Sequence, residues 1–192
     1  RDAPAFDTSI ASSGWMRGIP QRVDYPDGRF QLAKVGSLGQ LEWVEDEVGY
    51  RTCYRHDAMG RLAQVSYPSE TLQTCDESQW NARHRSFAPS ATADFGLPIG
   101  HWKDTTHTGT GFTVTHYDGL WRPVVTERFD TADKPGTWRQ AVTRYAPQGG
   151  VAFASYPAAG ITHYAAAATG TRTHYDALGR PVRVEQDSEY GP

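Results

Sequence analysis

Thr171-Arg172-Thr173-His174-Tyr175-Asp176-Ala177-Leu178-Gly179-Arg180-Pro181-Val182 decides the fold, because most of it occurs twice. Thr113-Val114-Thr115-His116-Tyr117-Asp118 shares the pattern Thr-x-Thr-His-Tyr-Asp, and its Asp lies 58 residues before Asp176. The two copies keep step beyond the Asp: Arg122-Pro123-Val124 and Arg180-Pro181-Val182 are each followed, three residues after the Val, by Glu127 and Glu185. Self-similarity at a fixed period is the sequence signature of a repeat architecture. His56-Asp57-Ala58-Met59-Gly60-Arg61-Leu62 is a third copy, and Tyr25-Pro26-Asp27-Gly28-Arg29, Tyr145-Ala146-Pro147-Gln148-Gly149-Gly150 and Phe87-Ala88-Pro89 are weaker ones. Markers at 25, 56, 87, 117, 145 and 175 recur about every thirty residues and put turns near 26–29, 57–60, 88–91, 118–121, 146–149 and 176–179. The whole chain, 1–192, reads as one repeat array of about six units.

The turn explains the unit. Asp, two small or apolar residues, Gly and then Arg suit a type I turn closed by a left-handed Gly, which makes a hairpin with a bulge. The Asp carboxylate accepts backbone N–H groups inside the turn, and Gly takes positive φ without strain. On either side apolar and polar residues alternate, as a half-buried strand requires. Tyr175 and Arg180 are expected opposite one another, with the guanidinium over the ring. Trp121 stands where Gly is wanted, so Gly119 is expected to take over the positive-φ position. Thr71 to Ile99 reads as containing irregular loop, Thr131–Thr137 as a surface connection, and Ala158–Thr169 as a loop or short helix.

Composition agrees with strands. Leu, Ile, Val and Phe together are only 31 of 192 residues, but Tyr, Phe and Trp number 23 and Thr 19, and Gly with Pro make 31. That favours many short strands over long helices. Charge is balanced and interspersed at −3, without the basic stripe that nucleic acid or an anionic membrane would select. No apolar run approaches the roughly 20 residues of a membrane-spanning helix. Cys53 and Cys75 are too few for a disulfide scaffold; they could form one bridge if they face each other across neighbouring strands, and free thiols fit the sequence at least as well. The chain opens Arg1-Asp2-Ala3-Pro4 without Met, which suggests an excised piece or a mature product.

The repeated residues resemble the RHS or YD-repeat family, whose motif is similar to Tyr-Asp-x-x-Gly-Arg-Leu/Pro. Its signature positions here are His56, Asp57, Gly60 and Arg61; Tyr117, Asp118 and Arg122; Tyr145 and Gly149; and Tyr175, Asp176, Gly179 and Arg180. The resemblance implies an all-β fold of tandem antiparallel hairpins in one long, curved, spiralling sheet that forms part of a hollow shell. It implies a wall segment enclosing a C-terminal toxin or effector of the same polypeptide, in a protein secreted or delivered by a secretion or injection apparatus. The implied partners are the rest of the shell and its cargo, and the motif carries no catalytic residue. No Asp-Pro pair occurs, so the self-cleaving end typical of bacterial members is not expected in this piece, nor is the cargo.

Chemistry-bearing residues read as structural. Seven histidines, at 56, 84, 101, 107, 116, 163 and 174, form no zinc-type spacing and are taken as structural or solvated, with no metal or cofactor implied. Glu127 and Glu185, as repeat equivalents, are expected about four strands or ~19 Å apart, too far for a glycosidase pair. Ser66 and Ser155 lack a nucleophile elbow, and Thr108-Gly109-Thr110-Gly111 lacks a phosphate-loop Lys. The reading is enclosure rather than catalysis. The alternative is a module binding carbohydrate or a cell-surface protein through exposed tryptophans.

Overall fold

The computed structural model describes residues 14–188; the opening Arg1-Asp2-Ala3-Pro4 lies outside them. The chain is all-β. Thirteen strands, from Arg22–Asp24 to Pro181–Gln186, form one antiparallel sheet of hairpins in which strand order follows chain order. The chain divides into two compact units, 1–85 and 86–192.

The first unit opens with the two-stranded ribbon β1 (Trp15–Met16) and β2 (Ile19–Pro20). Then follow β3 (Arg22–Asp24), β4 (Phe30–Val35), β5 (Leu41–Glu45), β6 (Arg51–His56), β7 (Leu62–Ser66) and the start of β8 (Arg83–Pro89). Among its described residues the buried apolar ones are few, Val35 and Ala82. Cross-links replace a large core: Arg51 lies 2.8 Å from Glu45 and over the Trp43 ring, and Cys53 is bonded to Cys75 with Cα atoms 5.8 Å apart. The bridge is therefore closed, though not between paired strands. Cys75 sits in the irregular segment 67–82, where it pairs with Pro68 in an isolated antiparallel bridge, and the disulfide ties that segment to β6.

The second unit takes the rest of β8, then β9 (Trp102–Thr108), β10 (Gly111–Tyr117) and β11 (Pro123–Asp130). A 3-10 turn, Thr131–Asp133, and the short helix α1 (Lys134–Thr137) lead to β12 (Arg139–Tyr145), β13 (Val151–Ser155), β14 (Gly170–Tyr175) and β15 (Pro181–Gln186). Thr131–Thr137 is thus a structured connection, and Ala158–Thr169 is a loop without helix. Period-two burial marks the inward face: Val114 and His116, Val125 and Glu127, Gln140 and Val142 share it, and apart from the buried Val124 beside Val125 their neighbours are more exposed. Val125 and Val142 face each other across β11 and β12 and are almost fully buried. Each contributes about 1.5–3 kcal/mol by the usual transfer scale. They join Leu97, Val124, Phe153, Ile161 and Ala167 in one apolar cluster, so the loops around 97 and 161–167 close over the sheet.

Among the described residues seven turns share one backbone, in which the first N–H donates to the fifth C=O and the fourth N–H to the first C=O. They begin at Tyr25, Gly36, Asp46, Asp57, Asp118, Ala146 and Asp176. In the first unit they follow every ten or eleven residues, one strand plus one turn, so the thirty-residue step read from the sequence skips the turns at Gly36 and Asp46. Both lack the Tyr-Asp-Arg signature and were missed. Tyr25 occupies the Asp position of the turn, one residue later than its assigned place. In the second unit, turns at 118, 146 and 176 do stand about thirty residues apart, because long connections, 131–138 and 156–169, separate them. Residues 88–91 form no such turn. There β8 runs into a loop closed by Ser90 N–H donating to His101 O at 2.7 Å.

Candidate functional site

The signature residues build a clamp. Asp57 Oδ1 accepts the N–H groups of Met59 and Arg61, each at 2.9 Å, while Oδ2 accepts Arg61 Nε at 2.7 Å. Asp118 holds Leu120 and Arg122, and Asp176 holds Leu178 and Arg180, in the same way. The backbone N–H of the fifth turn residue and its guanidinium hold the carboxyls of Asp57 and Asp176 below their ordinary range. At Asp118 burial pushes upward, but the Arg122 guanidinium and backbone N–H outweigh it. Gly60, Gly149 and Gly179 take positive φ in their turns. In the Asp118 turn the expected shift to Gly119 does not occur: Trp121 itself adopts φ +62°. The backbone bonds of the turn fix which residue must be left-handed, whatever its side chain.

The expected pairing of Arg180 with Tyr175 does not form, and Arg122 covers the tyrosine of the next repeat rather than its own. Arg180 binds Asp176, and Tyr175 pairs across the hairpin with Pro181. Arg122 instead lies over the Tyr145 ring, 4.4 Å from its centre, and Tyr145 Oη donates to Pro123 O at 2.8 Å. Tyr175 Oη donates to Val151 O at 3.0 Å, the equivalent carbonyl of the preceding turn. Gly150 stands where Arg122 stands one repeat earlier, and a Cβ there would meet the Tyr175 ring at 2.7 Å. Each signature tyrosine of these two repeats therefore staples its hairpin to the one before. Burial pushes the Tyr145 phenol upward.

A second arrangement was not read from the sequence. His116 and Glu127 sit diagonally across β10 and β11, with His116 Nε2 2.8 Å from Glu127 Oε1. The repeat equivalents His174 and Glu185 make the same pairing at 3.3 Å in the open. At His116, 2% exposed, the pair is enclosed and extended. His101, just before β9, places Nε2 2.8 Å from His116 Nδ1, and its Nδ1 lies 2.8 Å from Pro98 O. Trp138 Nε1 donates to Glu127 Oε2 at 2.7 Å. Asp94 Oδ2 comes within 3.8 Å of His101 Nε2 and accepts from Ser90 and Thr92 hydroxyls. Asp94, His101 and His116 thus turn three ligand-type atoms to within 4.8 Å of one another. Phe95, at φ +55°, packs edge-on against His116. A cavity of about 500 Å³ lies alongside, lined by Asp94, Phe95, Lys103, His116, Glu127 and Trp138 among others. The pairing of His116 with Glu127 was available as a signal, since both recur in the 174 and 185 copy; the contribution of loop 90–101 was not.

Remaining candidates have structural partners. Glu127 and Glu185, on β11 and β15, each pair with their own histidine. Ser66 Oγ donates to Glu77 at 2.8 Å, and Ser155 Oγ accepts from Val142 N–H at 2.7 Å. Thr108 and Gly111 pair across the hairpin turn of β9 and β10. An aromatic group is more open: Phe87 stacks on Trp102 at 5.0 Å, and Trp102 lies 5.2 Å from Trp121, which is 56% exposed. Among the described residues no helix is long and apolar enough to cross a membrane. Comparison of the sequence with protein-family models gives no match, and comparison with curated proteins gives none either.

Proposed function

We propose that the chain is a wall segment of an RHS/YD-type shell, whose work is to enclose and shield a polypeptide cargo rather than to catalyse. The observation that carries this reading is the stapling of one hairpin to the preceding one through Tyr145 to Pro123 and Tyr175 to Val151, behind the repeated Asp–Arg turn clamp. Such links are nearest-neighbour only, so an array built from them extends by adding hairpins and needs no central core. The Cys53–Cys75 bridge suits an oxidising compartment, in keeping with export. Small-angle X-ray scattering on the monomer tests it. A compact chain of this length has a radius of gyration of about 16 Å. An open wall gives a clearly larger value with the profile of a thin plate, and a value near 16 Å overturns the reading.

The Phe87, Trp102 and Trp121 group supports a second reading, a surface for carbohydrate. Trp121 and Trp102 also line a cleft of about 350 Å³ with Leu97 and Tyr117, and flat rings beside a cleft suit sugar faces. Signal on a glycan array that disappears in Trp121→Ala would favour it; the absence of any signal removes it.

A further inference from the structure

We propose that Asp94 Oδ2, His101 Nε2 and His116 Nδ1 form a binding site for a divalent metal of the zinc class. The chain Pro98 O, His101, His116, Glu127 contains three short contacts, each 2.8 Å. Two neutral imidazoles and a carboxylate bring two protons to it. Pro98 O can only accept, so His101 Nδ1 carries a proton and Nε2 presents a lone pair. Glu127 Oε1 accepts from His116 Nε2, and Oε2 already accepts from Trp138. His116 Nδ1 is then also a lone pair, facing the first at 2.8 Å. A cation between them resolves the contact, and the cation is either a metal or one further proton.

Three features favour the metal. Asp94 Oδ2 stands 3.8 Å from His101 Nε2 as a third donor, and the two nitrogens, 2.8 Å apart, would open to the roughly 3.3 Å that one tetrahedral zinc sets between its nitrogens. A shared proton needs no Asp94. Both imidazoles also carry the outer partner expected of metal ligands, a backbone carbonyl on His101 and a carboxylate on His116, which fix the ring and its tautomer. Finally, Asp94 is held by Ser90 and Thr92, and the next residue is the left-handed Phe95. Backbone strain of this kind persists where the surroundings over-determine it. Asp94 and His116 also border the cavity, whose open space admits water as a fourth ligand. The ion would pin loop 90–101 to β10.

The test is zinc titration of the chelator-treated full chain by calorimetry, with cobalt(II) absorption as the spectroscopic probe. The expected result is one zinc per chain and a visible cobalt band of tetrahedral intensity. Asp94→Ala, on a partly exposed loop, and His101→Gln should abolish both, His174→Gln should change neither, and Glu127→Gln should weaken binding roughly 10- to 100-fold as an outer partner. No binding by the folded wild-type chain overturns the proposal. So does binding that survives both Asp94→Ala and His101→Gln, or a proton bridging His101 and His116 by NMR that persists at saturating zinc.

Discussion

Trp121 separates the demands of the backbone from those of the side chain. Its turn has the same hydrogen bonds as the Asp57 and Asp176 turns, including Trp121 N–H to Asp118 O at 3.0 Å, so the fourth residue is left-handed whether or not it is Gly. The ring is retained by Trp102 and Phe87, with centres 5.2 and 5.7 Å away. Trp121→Ala loses the ring contacts and keeps the strain, whereas Trp121→Gly loses the ring contacts and relieves it. Trp121→Gly should therefore be more stable than Trp121→Ala by about 1 kcal/mol in denaturant unfolding; equal stabilities would mean that the position carries no strain. Asp176 is the corresponding electrostatic case. Arg180 N–H and guanidinium hold its carboxyl below the ordinary value, so its contribution is fully present above the unfolded pKa of about 3.9 and is lost as pH falls through the lower folded value. Wild-type melting temperature should consequently fall more steeply than that of Asp176→Asn between about pH 4 and 2. Parallel curves would show that the clamp does not titrate with folding.

At the scale of elements, what was legible was what repeats locally. Asp57, Gly60 and Arg61, with their copies, specify a turn by chemistry confined to five residues, and the all-β class follows from the alternation beside them. The turns at Gly36 and Asp46 were illegible as repeats because their Asp and Arg are incomplete, yet Gly39 and Gly49 still supply the positive φ that the backbone needs. Tertiary partners were hidden for another reason: Arg122 over Tyr145 and His101 against His116 join residues 15 to 23 positions apart with no fixed spacing. Cys53 and Cys75 belong to this class. The bridge closes a 22-residue separation, 53 to 75, and anchors segment 67–82 to β6, and the chain-entropy relation assigns such a loop about 3 kcal/mol. Reduction, or Cys75→Ser with Cys53→Ser, should lower stability by roughly that amount and expose 67–82 to limited proteolysis. Cleavage elsewhere first would place the weak point outside the loop.

Across the molecule, the unresolved demand is the sheet edge. Among the described residues β15 has one sheet neighbour, β14, and β3 has one, β4. An unpaired strand offers its backbone groups to another chain. On β15 the invitation is stronger, because Val182 and Val184 are both more than half exposed, Val184 at 61%, and β-branched residues stabilise a newly added strand. A shell meets this demand by continuing the sheet through its flanks. The isolated chain should instead associate reversibly as concentration rises, and Val184→Lys should suppress the association by adding a charge to the edge, which sedimentation velocity would read directly. The substitution faces solvent and removes no buried contact, so melting temperature at low concentration should be unchanged. Association that is the same in Val184→Lys would move the contact to β3 or to the aromatic group around Trp121; a chain monomeric at every concentration would mean that these edges are already protected, and would count against the wall reading.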